Sequence, residues 1–323
     1  MSSFTGPAIV YTPNIIASSL VQDLTSSQAQ QATLENQLGT GDLVNQPSDN
    51  PAAASQILSL NAAITRARQY STNAQDGVGW LSVGTSTLNQ VLGALQQARQ
   101  AVLSLSGNAL SGQQAAVSGI AAQIGSDRQQ IIGLANTKYN GQAIFAGTSQ
   151  VQVAYDQNGN YLGNTAPPPG SPDPGVPTRT VAAGVEIPVA VTGDQIFGTN
   201  NGNTSPGAPI DLLSSQGILA TLQSDISGGH LSTAETTDLK TLDAAISQVE
   251  SQAAVMGANY QRMQGFAQQA TDTKTALEQQ LSSLDAVNVA KVTTQLTATQ
   301  QSYQEALWAT AQIQQQSLVQ FLG

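Results

Sequence analysis

The sequence predicts a mainly α protein: a long helical-bundle or coiled-coil rod formed by both chain ends, with a small β-rich insertion domain in the middle. Three observations predict it. Apolar residues recur at helical spacing over residues 9–134 and again from about 212 to the end. Nine of the 13 prolines fall between Pro167 and Pro209, where Gly is dense, Gln almost vanishes and Arg179 is the only cation. The surface is polar without being charged: charged residues make up 9% of the chain, and 42 of its 323 residues are Gln. An average globular chain carries roughly 25% charged residues.

The N-terminal flank opens with Ile9, Ile16, Leu20, Leu24, Leu34 and Leu38, whose steps place them on one helical stripe; Ser27 and Gln31 occupy stripe positions between Leu24 and Leu34. Gly39 and Gly41 end it. In Gln46-Pro47-Ser48-Asp49-Asn50-Pro51, Asn50 suits the N-cap and Pro51 the first helical position, so capping is the expected role of both. A long pattern through Ile57, Leu60, Ile64, Trp80, Leu81, Leu88, Leu95 and Leu105 follows, with Trp80 expected as a core anchor. A break at Gly107–Gly112 precedes another helical run, Val117 to Leu134, and Asn136 to Gly141 reads as its stop. In the middle, Val151–Tyr155, Thr180–Val185 and Ile187–Val191 are short β-type runs, and Ala166–Pro177, with six prolines, is an exposed loop. Helix is expected again from Asp211, interrupted at Gly228-Gly229. Neither Pro nor Gly interrupts Phe266–Leu322, which predicts a coiled coil about 50 residues long.

Composition excludes several function classes. A net charge of −10 with scattered cations argues against nucleic acid as a partner. No apolar run reaches the roughly 20 residues that span a bilayer, so membrane insertion is not expected. Met1–Pro13 lacks a basic and then an apolar region, so a cleaved secretory signal is not expected; export with an uncleaved signal stays open. The absence of Cys excludes disulfides and fits a chain that passes between redox compartments. With His230 as the single histidine, in a Gly-rich loop, and no GxxxxGK[ST] loop, no catalytic, metal or cofactor site is expected. The chain reads as a non-enzyme.

Motif order then adds a resemblance. Gln46-Pro47-Ser48-Asp49-Asn50-Pro51-Ala52, Asn73-Ala74-Gln75-Asp76-Gly77 and Val255-Met256-Gly257-Ala258-Asn259-Tyr260-Gln261-Arg262-Met263 resemble, in order and spacing, segments of the bacterial flagellin superfamily. Asn136 to Gly147, Val189 to Phe197 and the ending Gln316 to Leu322 resemble its hook–filament junction group. The Pro-rich stretch at 167–177 and the short tail depart from the pattern.

The resemblance implies a secreted structural subunit of the bacterial flagellum, passed through a type III export channel with an uncleaved signal. Its implied partners are a ring of its own copies, the other hook–filament junction protein, flagellin and an export chaperone. The implied division is a terminal coiled-coil domain (1–44 plus 275–323), a helical rod (45–150 plus 212–274) and a variable insertion (151–211). Ile16, Leu20, Leu24, Leu296, Tyr303 and Ile313 are the expected assembly contacts, and they serve equally as ordinary intrachain core. Ser317, Leu318, Phe321 and Leu322 are the expected chaperone or export tail. A flagellin filament subunit is the near alternative; an exported protein with a ligand- or glycan-binding insertion is the alternative from another class.

Overall fold

The structure is a computed structural model and describes residues 13–106, 114–164, 175–199 and 208–322. Helix dominates. α1 (Pro13–Thr40), α2 (Pro51–Leu103) and α3 (Gln114–Ala135) precede the middle region; α5 (Ile218–Ser227), α6 (Leu231–Thr233), α7 (Leu239–Asp285) and α8 (Val289–Leu322) follow it. Between them lie two hairpins, β1 (Lys138–Tyr139) with β2 (Gln142–Ala143) and β3 (Thr178–Ala182) with β4 (Val185–Pro188), and a short helix α4 (Gly193–Phe197). The expected mainly α class with a little strand in the middle holds. The chain forms two compact units, Met1–Thr65 with Lys274–Gly323 and Arg66–Thr273.

In the first unit α1 and α8 pair antiparallel, a direction set by the Asp42–Ala286 bridge at one end and the Gln28–Tyr303 hydrogen bond further along. The start of α2 is capped as its sequence predicts. Asn50 Oδ1 accepts the Ala53 N–H at 3.1 Å, and Asp49 Oδ2 closes the preceding turn by accepting the N–H groups of Asn45 and Gln46. The expected break at 107–112 and the loop at 166–174 lie outside the described residues.

The second unit holds one continuous apolar core. It runs from Ala74, Trp80 and Leu81 on α2 through Ile124 and Ile131 on α3 to Leu242, Val249, Met256 and Met263 on α7, and it includes Phe145, Tyr155, Ile187, Phe197 and Leu212 of the middle region. The described residues of the middle region therefore share their core with helices and enclose no separate one.

Four expectations need correction. Phe266–Leu322 is not one helix: it breaks between Asp285 and Val289. Residues 41–44 stitch the break, since Leu43 N–H donates to Asp285 C=O (2.6 Å), Val44 N–H to Asp285 Oδ1 (3.1 Å) and Val287 N–H to Gly41 C=O (3.0 Å). Asn288 then caps α8 by accepting the Lys291 N–H. Val151–Tyr155 is not a strand; apart from a single Tyr155–Tyr161 bridge it is irregular. The Asn136 side chain takes both backbone groups of Tyr155, accepting its N–H and donating to its C=O at 2.8 Å each, which leaves no ladder to extend.

The runs Thr180–Val185 and Ile187–Val191 are shifted. The turn falls at Ala183-Gly184, where Gly184 has φ +70°, so the strands are 178–182 and 185–188. Helix resumes at Ile218, not Asp211, because the Asp211 carboxylate accepts the N–H groups of Leu213 and Ser214 in a local turn.

Candidate assembly surface

Burial along α1 follows positions 20, 24, 27, 31, 34 and 38, and along α8 positions 292, 296, 299, 303, 306 and 310. Both series step by four and three alternately, the spacing of a coiled-coil seam. The antiparallel register sets Leu38 level with Val292, Leu34 with Leu296, Gln31 with Thr299, Ser27 with Tyr303, Leu24 with Ala306 and Leu20 with Thr310. The seam is thin. Leu34 and Val292 are buried, at 7% and 4% exposure, whereas Leu20, Leu24, Leu296 and Tyr303 are only half-buried. Ser27 Oγ is buried there without a hydrogen-bond partner.

The structure thus brings four of the six expected contacts onto one seam. The side chains of Ile16 and Ile313 lie outside the described residues, as do those of Ser317, Leu318, Phe321 and Leu322, although all six positions belong to α1 or α8. Away from the seam, α8 presents an uncharged face of Ala290, Thr293, Thr294, Thr297, Ala298 and Gln301. Trp308 stands 80% exposed on the same helix. Four charged side chains, Asp23, Glu35, Lys291 and Glu305, serve the whole of α1 and α8.

In the second unit α2 and α7 also run antiparallel. Arg99 faces Asp243 (Nε–Oδ1 2.6 Å), Ser71 faces Thr271, and between them Gly84 meets Met256 and Gly77 meets Met263. Gly77 and Gly84 are seven residues apart, as are the two methionines, so each fully buried Met lies over a glycine one heptad from the next. A mid-helix Gly loses about 1 kcal/mol against Ala; here it makes room for the Met. Asp243 raises the Arg99 pKa above its ordinary value, chiefly through the hydrogen bond.

The middle region is fastened to α2 by residues of the Asn73–Gly77 motif. Asn73 donates to Thr180 C=O at 2.9 Å, and Asp76 Oδ2 accepts from Arg179 Nε at 2.8 Å. The Arg179 guanidinium lies 5.8 Å from the Trp80 ring centre, and Tyr139 packs on the other ring contact of Trp80 at 5.5 Å. Trp80 is 2% exposed, as a core anchor should be, and its Nε1 has no hydrogen-bond partner. The Asp76–Arg179 pair was not legible as a pair; the signal that could have raised it is that Arg179 is the lone cation of its region. Similarly, Asn140-Gly141, read as a helix stop, is a two-residue hairpin turn with φ +48° and +82° joining β1 to β2.

Phe145, Phe197, Tyr155 and Tyr161 fill the interior beneath, with ring centres 5.1 to 5.6 Å apart. Burial raises both tyrosine pKa values well above their ordinary range. Among the described residues no group of three His, Asp or Glu side chains is placed to hold a metal ion. Among the described residues no helix is long and apolar enough to cross a membrane.

Antiparallel pairing of α1 with α8 and of α2 with α7, and a middle region that shares its core with α2, α3 and α7, define a class. Residues 12–150 match the bacterial flagellin N-terminal helical region, and residues 239–322 match the bacterial flagellin C-terminal helical region. The chain belongs to the bacterial flagellin family. Among its relatives, flagellar hook-associated protein 3 of Salmonella typhimurium is 32% identical over 185 residues, 57% of this chain and 55% of the relative. Flagellar hook-associated protein 3 of Escherichia coli is 31% identical over the same shares. The chain's match spans about half the length of these curated relatives. Two solved structures share the fold: a flagellar hook-associated protein from Vibrio parahaemolyticus (TM-score 0.59, 20% identity, 74% of this chain and 100% of that one) and FlgL of Bacillus cereus (TM-score 0.55, 18% identity, 69% and 99%).

Proposed function

We propose that this chain is a structural, non-enzymatic subunit of the bacterial flagellum that joins hook to filament by coiled-coil stacking with its axial neighbours. The observation that carries this reading is the thin α1–α8 seam. Its level pairs include Gln31 with Thr299, Leu20 with Thr310 and Ser27 with Tyr303, so it buries little apolar surface for some sixty ordered residues. Ordering a residue costs about 1–2 kcal/mol of backbone entropy, and helices this poorly covered need further partners. Neighbouring copies supply them, and the near absence of charge on α1 and α8 lets copies of a chain with net charge −10 approach there. The names of both curated relatives support the same reading.

In this scheme residues 1–44 and 275–323 form an inner layer, 45–150 and 212–274 an outer rod, and 151–211 a solvent-facing insertion. Ile16, Leu20, Leu24, Leu296, Tyr303 and Ile313 hold the inner layer together. Copies form a ring between the other junction protein and flagellin. The subunit leaves the cell with its export signal uncleaved, and an export chaperone holds Ser317, Leu318, Phe321 and Leu322 beforehand.

Electron microscopy of the purified chain, alone and added to hook particles carrying the other junction protein, tests this. The expected result is short oligomers alone and a thin ring on the hook that then nucleates flagellin. Long filaments grown from the chain alone would make it a filament subunit instead.

A further inference from the structure

Three titratable side chains meet where the chain passes from α5 back into the long helix α7. α5 ends at Ser227, and Gly229, with φ +78°, turns the chain so that the His230 N–H donates to the Asp225 C=O at 2.8 Å. α6 then runs into a single π-helical turn, Ala234–Asp238, before α7 begins. Such turns are rare and tend to mark functional positions. Asp238 closes it, 5% exposed, and its Oδ2 has no hydrogen-bond partner. The carboxyl it faces is that of Asp225, and His230 Nδ1 lies 3.5 Å from Asp225 Oδ1 on the exposed side.

The other charged groups on the packed elements are engaged or turned away. On α3, Asp127 accepts from Gln123, and Arg128 donates to the carbonyls of Leu213 and Asn158. Glu235 is half-buried and Lys240 exposed, and neither contributes to the field at Asp238, which comes from Asp225.

We infer that Asp225 and Asp238 share one proton and, with His230, form a pH-sensitive clasp on the α5–α7 connection, closed in mild acid and loosened as the proton leaves. With the proton on Asp238, its O–H donates to Asp225, whose Oδ1 lies 3.5 Å from His230 Nδ1. Without it, two carboxylates face each other, and the buried one has no donor. Burial and Asp225 together push the Asp238 carboxyl up to about 6. Because the folded pKa lies above the unfolded one, the stabilisation is complete below about pH 4 and is lost as pH rises through about 6.

The test is hydrogen–deuterium exchange of the full chain between pH 5 and 7.5, corrected for the intrinsic rate. Peptides within 226–242 should lose about tenfold in protection, the change of one pKa unit, while peptides within 84–103 stay constant. Asp238→Asn, whose amide can donate to Asp225 at every pH, should hold that protection flat. Asp225→Asn should flatten it as well, and it serves if the first variant fails to fold. A constant protection of 226–242 in the unaltered chain, or the same loss in both variants, would overturn the clasp.

Discussion

At the scale of single residues, glycines separate two kinds of close approach. Gly159 has φ +81°, and a Cβ there would run into the backbone carbonyl of Leu213. Neither problem can be relieved by a side-chain rotation, so Gly159→Ala should destabilise by about 3 kcal/mol in urea unfolding. Gly77 is helical, and its added Cβ would meet the Cε, Sδ and Cγ of Met263, a flexible side chain and not backbone. There the gain in helix propensity offsets the displacement, and Gly77→Ala should stay within about 1 kcal/mol of neutral. The sequence could not distinguish these two cases, because each depends on what stands opposite. Ser27 makes the reverse point: its hydroxyl is buried without a partner on the α1–α8 seam. Ser27→Ala should therefore raise the thermal midpoint of the terminal unit, by an amount corresponding to about 1 kcal/mol.

At the scale of elements, local signals were good where the decisive contacts are local. Asn50 and Pro51 start α2, and Asn50 caps it through the Ala53 N–H. The stripe from Leu20 to Leu38 is the face that α1 buries, Ser27 and Gln31 included. Signals failed where a distant segment decides. Nothing between Phe266 and Leu322 announces the break before α8 except Asn288, and the groups that hold it open come from residues 41–44. Similarly, the β3–β4 hairpin is held by Arg179, which bridges Asp76 and Trp80 on α2. Arg179→Ala should leave the far-ultraviolet helix signal unchanged and speed protease cleavage within 178–188 severalfold. A rate equal to that of the unaltered chain would show that strand pairing alone holds the hairpin.

At the scale of the whole molecule, the proposal makes folding of the ends depend on assembly. Limited proteolysis of the free chain should remove residues from 1–44 and 275–323 first, leaving a fragment whose helical circular dichroism per molecule is unchanged. Full protection of both ends in the free monomer would instead make them a self-sufficient bundle and move the assembly contacts elsewhere. By itself the sequence determined the helical class, the cap of α2, the stripe of α1 and the resemblance to the flagellin family, since helix periodicity and capping are written within a few neighbouring residues. Tertiary structure decided where α7 stops, why Val151–Tyr155 is no strand, and that residues of the middle region share a core with α2, α3 and α7. Those outcomes turn on pairs such as Leu43 with Asp285, Asn136 with Tyr155 and Asp76 with Arg179. Such pairs form only once the chain has brought distant segments within hydrogen-bonding reach, and local propensity carries no record of them.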